Sequence, residues 1–444
     1  MKLALLADLH IGFGYKKHSS DPRRMDSFEN AAEALRLAVQ NADAVLIAGD
    51  IFDRPNIDTD LFLRALEIFD VARSRDSGLT VNGEPWKGVP VIAIRGNHDV
   101  SSDLHRHPVL LLDRAHRLKY INAEQVVLEK NGEKVAVTGA GWVPDRNAEL
   151  VRRFFSERVP APVPGAYNVL MLHQPLEGIG KYPGENPLPV SYLPPGFDVY
   201  HSGHLHWHVE KRVSDRWIVI PGSTVRTQLS DREVEEDRAI WVLDTESNEL
   251  QEFEISCARR GFVRKVCVDN KGRDEVISEV VSAVESAVAQ NDRQKEPIVK
   301  IVLEGSTYDV YDLSPIVQRY EGKAIVKIFD NTVSSVVEQL AEVASEGFGQ
   351  EAAFSPAFAM GVLMQALESQ GVEVGPEFDR FYRLLADAGR LSRPEEKEAL
   401  LNTVERMLSE GRVFNLEKRP DRDKQPPRRD SSRSSILDWA GPQF

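Results

Sequence analysis

Nothing in this chain restricts its folding more than Val45-Leu46-Ile47-Ala48-Gly49-Asp50, an aliphatic run that stops at a glycine and then presents a carboxylate. A strand that is apolar at consecutive positions must be covered on both faces, which is the condition of a parallel strand inside an α/β sheet. Ligands collect where the strands of such sheets end, so Asp50 is expected at a site. The same grammar recurs along the chain. Leu3 to Ala7 precedes Asp8 and His10, Val89 to Ile94 precedes Asn97 and His98, Val169 to Leu172 precedes His173, and Val199 leads toward His204 and His206. Several strand ends therefore bring metal-ligand side chains to one edge.

Helical spacing fills the intervals. Segment 26–40 sets Phe28, Ala32, Leu35 and Val39 on one face, and segment 61–72 does the same with Leu63, Leu66 and Phe69. Repeated strand, helix, strand steps predict a layered α/β fold. Asn131-Gly132 predicts a hairpin turn within 124–142, followed by a helix from Asn147 to Ser156. A strand at 167–172, a long Gly/Pro loop at 178–196, a hairpin from Val209 to Ile220 and strands at 238–244 and 250–255 close a first domain, 1–258. Residues 262–330 read as a small α+β unit with strands at 263–268, 298–303 and 323–328 and helices at 273–289 and 313–320. Helical patterns at 358–370, 377–386 and 394–409 define a segment 355–411. The stretch 412–444, rich in Arg, Asp, Ser and Pro, is expected to be disordered.

Composition narrows the class of function. A length of 444 residues predicts two or three domains. With 69 acidic against 55 basic residues the net charge is -14, which opposes attraction to phosphate polymers over the whole surface. Any nucleic-acid contact is then local, metal-assisted or shared with a basic partner. Cys257 and Cys267 are the only cysteines, which excludes a disulfide framework and a thiolate zinc site and fits a reducing setting, the cytoplasm or nucleoid. Met1 to Ala7 is too short for a signal core or a membrane span, so no membrane association is expected.

Carboxylate, imidazole and amide ligands together suit manganese, iron, zinc or similar divalent ions. The set is large enough for two ions, which at a spacing of roughly 3.5 to 4 Å need a bridging ligand, and Asp50 on a central strand is the candidate. Isolated histidines are more often structural or on the surface, and His18, His105, His107, His116, His201 and His208 are read that way. His204, His206 and His208 alternate on one face of an extended segment, so spacing alone does not choose among them. What singles out the others is joint occurrence: Asp-x-His, Gly-Asp, Gly-Asn-His-Asp, a strand-end His and Gly-His-x-His, in that order, each after an apolar strand.

This ordered set resembles the signature of the calcineurin-like metallophosphoesterase superfamily, over residues 1 to about 258. Within it the chain looks most like the nuclease subunit of the double-strand-break repair complexes of the MRN and SbcCD class. The resemblance lies in Asp8-Leu9-His10-Ile11-Gly12, Arg24 with Asp26 and Phe28, Gly49-Asp50-Ile51-Phe52-Asp53, Gly96-Asn97-His98-Asp99 and Pro221-Gly222-Ser223. Ile11 stands where leucine is common. The resemblance implies a layered β-sandwich flanked by helices, with 262–330 as a capping, DNA-selecting domain. It also implies two manganese ions, one held by Asp8, His10, Asp50 and His206, the other by Asp50, Asn97, His173 and His204. His98 would contact the scissile phosphate and help the leaving oxygen depart. The implied activity is 3′ to 5′ exonuclease and endonuclease cleavage of DNA by a homodimer, with residues 355–411 docking an SMC-like coiled-coil ATPase. A phosphatase, nucleotidase or cyclic-nucleotide diesterase of the same superfamily is the competing expectation. A nonenzymatic scaffold, which would be expected to have lost ligands, is the third.

Overall fold

The computed structural model describes residues 1–15, 22–100, 107–144, 148–180, 186–213, 216–307, 313–334, 373–374 and 414–415. Two units emerge, one made of residues 1–267, 271–303 and 311–331, the other of 268–270, 304–310 and 332–444. The helices expected within 355–411 and the tail 412–444 lie outside the described residues, apart from two short strands given below.

In chain order the strands of the first half are β1 (Lys2–Leu6), β2 (Ala44–Ala48), β3 (Thr80–Val81), β4 (Glu84–Pro85), β5 (Val91–Ile94), β6 (Lys119–Tyr120), β7 (Glu124–Lys130) and β8 (Glu133–Ala140). They are followed by β9 (Tyr167–Leu172), β10 (Val199–Ser202), β11 (Val209–Val213), β12 (Arg216–Ile220), β13 (Ala239–Asp244) and β14 (Glu249–Glu254). Helices α1 (Asp26–Asn41), α2 (Thr59–Asp70), α3 (Val109–Arg114), α4 (Ala148–Glu157) and α5 (Asp231–Glu235) are interspersed.

Two sheets result. One has the order β14-β13-β1-β2-β5-β6, the other β11-β12-β10-β9-β8-β7-β3-β4. β1, β2, β5 and β6 run parallel, as do β8, β9, β10 and β12. Alternation along each strand sorts the side chains into layers. Leu3, Leu5, Leu46, Ile92 and Ile94 of the first sheet meet Val135, Val137, Val169, Met171 and Val199 of the second, forming an interior between the sheets. Ala4, Leu6, Val45, Ile47 and Val91 point the other way, under Phe28 and Leu35 of α1 and Ala65 and Phe69 of α2. Leu170, Leu172, Tyr200 and Ile220 are covered by Val151 and Phe155 of α4 and by loop residues such as Leu176 and Leu193. The layered α/β sandwich flanked by helices is therefore present, and β2 is buried at every residue, as its continuous apolar run requires.

The α1 stripe is as expected except at Ala32, whereas the α2 stripe is rotated from its expected position. In α1 the core face is Phe28, Ala31, Ala34, Leu35, Ala38 and Val39, and Ala32 is exposed. In α2, which Asp58 caps by accepting the Leu61 N–H at 2.9 Å, the core takes Leu61, Ala65, Ile68 and Phe69 while Leu63 is 52% exposed. Alanines count as core where a helix packs close to a sheet, and hydropathy gives them too little weight. The Asn131-Gly132 turn is as expected, with φ of 52° and 85°. A second hairpin, β3 to β4, turns on Asn82-Gly83 with φ of 54° and 83°, a signal of the same kind in a stretch that the sequence reading passed over.

Next come β15 (Gly261–Cys267), α6 (Arg273–Gln290), β16 (Ile298–Glu304), β17 (Ser306–Thr307), α7 (Ser314–Arg319), β18 (Ile325–Asp330) and β19 (Val333–Ser334). β15, β16 and β18 form a three-stranded sheet. Within the first unit this sheet packs on the sandwich: Val263, Ile298 and Val302 bury Leu229 and Val234, Arg259 binds Asp26 at 2.8 Å, and Lys300 binds Asp231 at 2.7 Å. In the second unit β17 pairs with β19 in parallel, and β20 (Glu373–Val374) with β21 (Phe414–Asn415) antiparallel. Among the described residues no helix is long and apolar enough to cross a membrane.

Candidate metal centre

Five strands deliver one residue cluster from their carboxyl ends. β1 is followed by Asp8 and His10, β2 by Asp50, β5 by Asn97 and His98, β9 by His173, and β10 by His204 and His206. The first three strands belong to one sheet and the last two to the other, so the cluster sits at a shared edge of the sandwich.

Reaching this edge takes unusual backbone. Asp8, His10, Asp50 and His204 have φ of 52°, 43°, 48° and 81°, left-handed values that cost a non-glycine residue free energy and concentrate at functional sites. The glycines beside them are there for space. A Cβ on Gly96 would lie 2.0 Å from Asp50 Oδ1, and one on Gly203 would lie 2.2 Å from the Ala48 carbonyl and 2.6 Å from His173 Nδ1.

Polar atoms converge. His10 Nε2 and His206 Nε2 are 3.2 Å apart. His173 Nε2 and His204 Nδ1 each lie 3.0 Å from Asn97 Oδ1. Asp50 stands between these groups, with Oδ2 at 3.3 Å from His173 Nε2 and 3.9 Å from His10 Nε2. Asp8 accepts the His204 N–H at 3.1 Å through either oxygen and reaches to 3.9 Å from His173 Nε2. Three triads, Asp8 with His10 and His206, Asp8 with Asp50 and His173, and His10 with Asp50 and His98, each hold their donor atoms within 4.8 Å of one another. Two ring nitrogens cannot both aim lone pairs at each other across 3.2 Å without a cation or proton between them. The donor set thus fits divalent cations.

The far sides of three of the rings are tied down. His173 Nδ1 donates to the Ala48 carbonyl at 2.7 Å, which leaves Nε2 toward the cluster. His206 Nδ1 faces Glu233 Oε1 at 3.1 Å. The edge of His98 lies against His10 with ring centroids 4.8 Å apart, and its Nδ1 donates to the Asp53 carbonyl at 2.9 Å.

The charged groups of the cluster shift one another. Burial favours neutral Asp50, but the neighbouring His173 overrides it and holds the carboxyl well below the usual range. Burial works against charge on His173 as well, yet Asp50 and Asp8 raise it to about 9. His10, buried and beside His206, is lowered. Asp99 is raised to about 7 by burial and by Asp50.

The seven expected ligands and His98 are all brought together. The other described histidines stay apart from the cluster. His107 packs on Tyr120, His116 is exposed, and His208 stacks on Trp241 with centroids 3.5 Å apart. His201 is buried between the sheets and donates from Nε2 to the Leu6 and Leu46 carbonyls at 3.1 and 3.3 Å. His18 and His105 lie outside the described residues.

Sequence reasoning missed two carboxylates. Asp99 accepts the N–H groups of Gly96 at 2.9 Å, Phe52 at 2.9 Å and Ile51 at 3.3 Å, lashing the loop after β2 to the loop after β5. It is visible in the Gly-Asn-His-Asp motif, which by itself gives it no role. Glu233 had no signal at all, being one acid among several in 231–237.

The family described as calcineurin-like phosphoesterase matches residues 1–208. The double-strand break repair protein MRE11 of Encephalitozoon cuniculi is 28% identical over 324 residues, covering 67% of this chain and 54% of that protein. The Homo sapiens protein of that name is 24% identical over 314 residues, covering 61% and 43%. The DNA double-strand break repair protein Mre11 of Sulfurisphaera tokodaii is 24% identical over 314 residues, covering 68% and 73%. The chain spans about half the length of the first of these curated relatives. A solved Thermus thermophilus protein, TT1561, overlaps 57% of this chain and 98% of its own at a TM-score of 0.34 and 10% identity. The strand-end ligands all fall within residues 1–208, the part of the chain that matches the calcineurin-like phosphoesterase family.

Proposed function

We propose that this protein is a manganese-dependent DNA nuclease that processes double-strand breaks as a 3′ to 5′ exonuclease and endonuclease, in the cytoplasm or nucleoid. The observation that carries the reading beyond phosphoester chemistry is the reach of the similarity. It covers 67% of the chain, past the 208 residues of the phosphoesterase match, and the relatives that share it are named for double-strand break repair.

In this reading Asp8, His10, Asp50 and His206 would hold one ion and Asp50, Asn97, His173 and His204 the other, Asp50 being common to both sets. Two such ions, when bound, supply a strong nucleophile at neutral pH and neutralise charge on the phosphoryl oxygens. The chain's own residues do the rest. Asp50 is held in place by the His98 N–H at 2.8 Å, so the bridging carboxylate and the loop carrying His98 move as one. With His98 Nδ1–H turned to the Asp53 carbonyl, Nε2 is the nitrogen left to meet a phosphate oxygen, and from the imidazolium form it would give its proton to the leaving oxygen, leaving a neutral ring protonated on Nδ1. Residues 262–330 are proposed to cap the site and help select DNA. Residues 355–411 are proposed to dock an SMC-like coiled-coil ATPase, with the nuclease acting as a homodimer. A basic partner surface of this kind would offset the net charge of -14.

The test offers the purified protein end-labelled linear duplex DNA and p-nitrophenyl phosphate, each with Mn²⁺. Shortening of the DNA from its 3′ ends is the expected result. Hydrolysis of the monoester with intact DNA would assign the site to a phosphatase or nucleotidase instead, and inertness toward both would leave a scaffold.

A further inference from the structure

Glu233 sits fully buried on α5, a short helix that Ser230 caps, and aims its carboxylate at the one nitrogen of His206 that faces away from Asp8 and His10. We propose that Glu233 is a positioning residue of the metal centre, which by accepting the His206 Nδ1–H fixes the tautomer whose Nε2 lone pair faces the ligand cluster. The inference rests on reading His206 as a metal ligand.

A neutral imidazole carries a single proton, so whichever nitrogen donates leaves the other to coordinate. His206 Nδ1 lies 3.1 Å from Glu233 Oε1 and 2.9 Å from Thr227 Oγ1, while Nε2 lies 3.2 Å from His10 Nε2. The carboxylate cannot swing away. Its Oε1 accepts the Thr227 N–H at 2.7 Å, and its Oε2 accepts the Gln228 N–H at 3.0 Å and the Leu229 N–H. With the histidine these bonds occupy the acceptor sites of both oxygens, so the ring meets an immobile, charged acceptor. Such an acceptor raises the basicity of the coordinating nitrogen as well as aiming it.

His173 solves the same problem differently, through the Ala48 carbonyl, which no substitution can remove. The two halves of the centre therefore differ in how they can be disturbed. Loss of the Glu233 charge should weaken the ion that His206 serves and spare the one served by His173 and His204.

The 444-residue chain and its Glu233→Gln variant are titrated with Mn²⁺, free ion being read by electron paramagnetic resonance, and the same substitution is repeated in a His206→Ala background. The wild type is expected to show two classes of site, with one weakened about 10- to 100-fold by Glu233→Gln and the other unchanged. In the His206→Ala background Glu233→Gln should have no further effect, because its partner is gone. Equal binding by wild type and Glu233→Gln overturns the proposal, as does an undiminished effect in the His206→Ala background, which would mark Glu233 as only a support for residues 227–229. A measurement on unaltered protein is independent of folding of the variants. In protein with ¹⁵N-labelled histidine loaded with ¹¹³Cd²⁺, coupling to His206 Nε2 is expected, and coupling to Nδ1 overturns the proposal. A wild type that binds neither Mn²⁺ nor Cd²⁺ overturns the metal reading beneath it, and the inference with it.

Discussion

Asp50 and His173 come from different sheets and meet at 3.3 Å, Oδ2 to Nε2, at the edge where the two sheets open. That contact joins the two histidine groups, since the same carboxylate oxygen also faces His10 Nε2 at 3.9 Å. Asp50→Asn keeps the shape and removes the charge. It is expected to lower the bound Mn²⁺ at both positions and to abolish cleavage, as read by metal analysis of the purified variant. His98→Asn is expected to keep its Mn²⁺ and lose about 10²- to 10⁴-fold in cleavage rate, the usual worth of general-acid help. Loss of metal from the His98 variant would show that its ring coordinates.

The glycine beside the bridge offers a second test. Because a Cβ at Gly96 would stand 2.0 Å from Asp50 Oδ1 and 2.5 Å from the Asp50 nitrogen, Gly96→Ala must push the loop after β5 away from the loop after β2. The expected cost is about 1–3 kcal/mol of stability, typical of overpacking, together with weaker Mn²⁺ binding. Urea unfolding with and without Mn²⁺ measures both, and a variant matching the wild type in each would show that the two loops are free to part.

His201 gives a pH test away from the cluster. Burial lowers it from 6.5 to about 4, against the pull of the Leu46 and Leu6 carbonyls. The unfolded chain therefore takes up the proton first as pH falls, so the stability due to neutral His201 is complete above pH 6.5 and lost on the way down to pH 4. Between pH 7.5 and 5 the loss is about 2 kcal/mol. His201→Gln should be less stable than the wild type at pH 7.5, with the gap narrowing by that amount at pH 5. A constant gap in urea unfolding would exclude His201 as a source of acid sensitivity.

The proposed partner is tested by truncation after residue 345. Mn²⁺-dependent nuclease activity is expected to remain, and co-purification with a coiled-coil ATPase encoded by the same genome is expected to be lost. Retained binding of the ATPase by the shortened chain would place the main dock elsewhere.

The sequence by itself determined the long strands, the layered α/β class and the side chains that gather at the strand ends. That follows because a buried parallel strand writes its own continuous apolar run, and the glycine and polar residue after it are local too, as in Ala48-Gly49-Asp50 and Gly96-Asn97-His98. Choosing His204 and His206 over His208 needed more than spacing, and the family resemblance supplied it. The tertiary structure decided whatever depends on residues far apart in the chain. Glu233 reaches His206 across 27 positions and Asp99 reaches Phe52 across 47, and no pattern marks an acid whose partner lies that far away. It also decided the rotation of α2 and the exact edge of the α1 face, where Ala65 and Ala31 went to the sheet while Leu63 and Ala32 went outward. A helix turns to bring its backbone closest to the strands, and small side chains on that face let it approach.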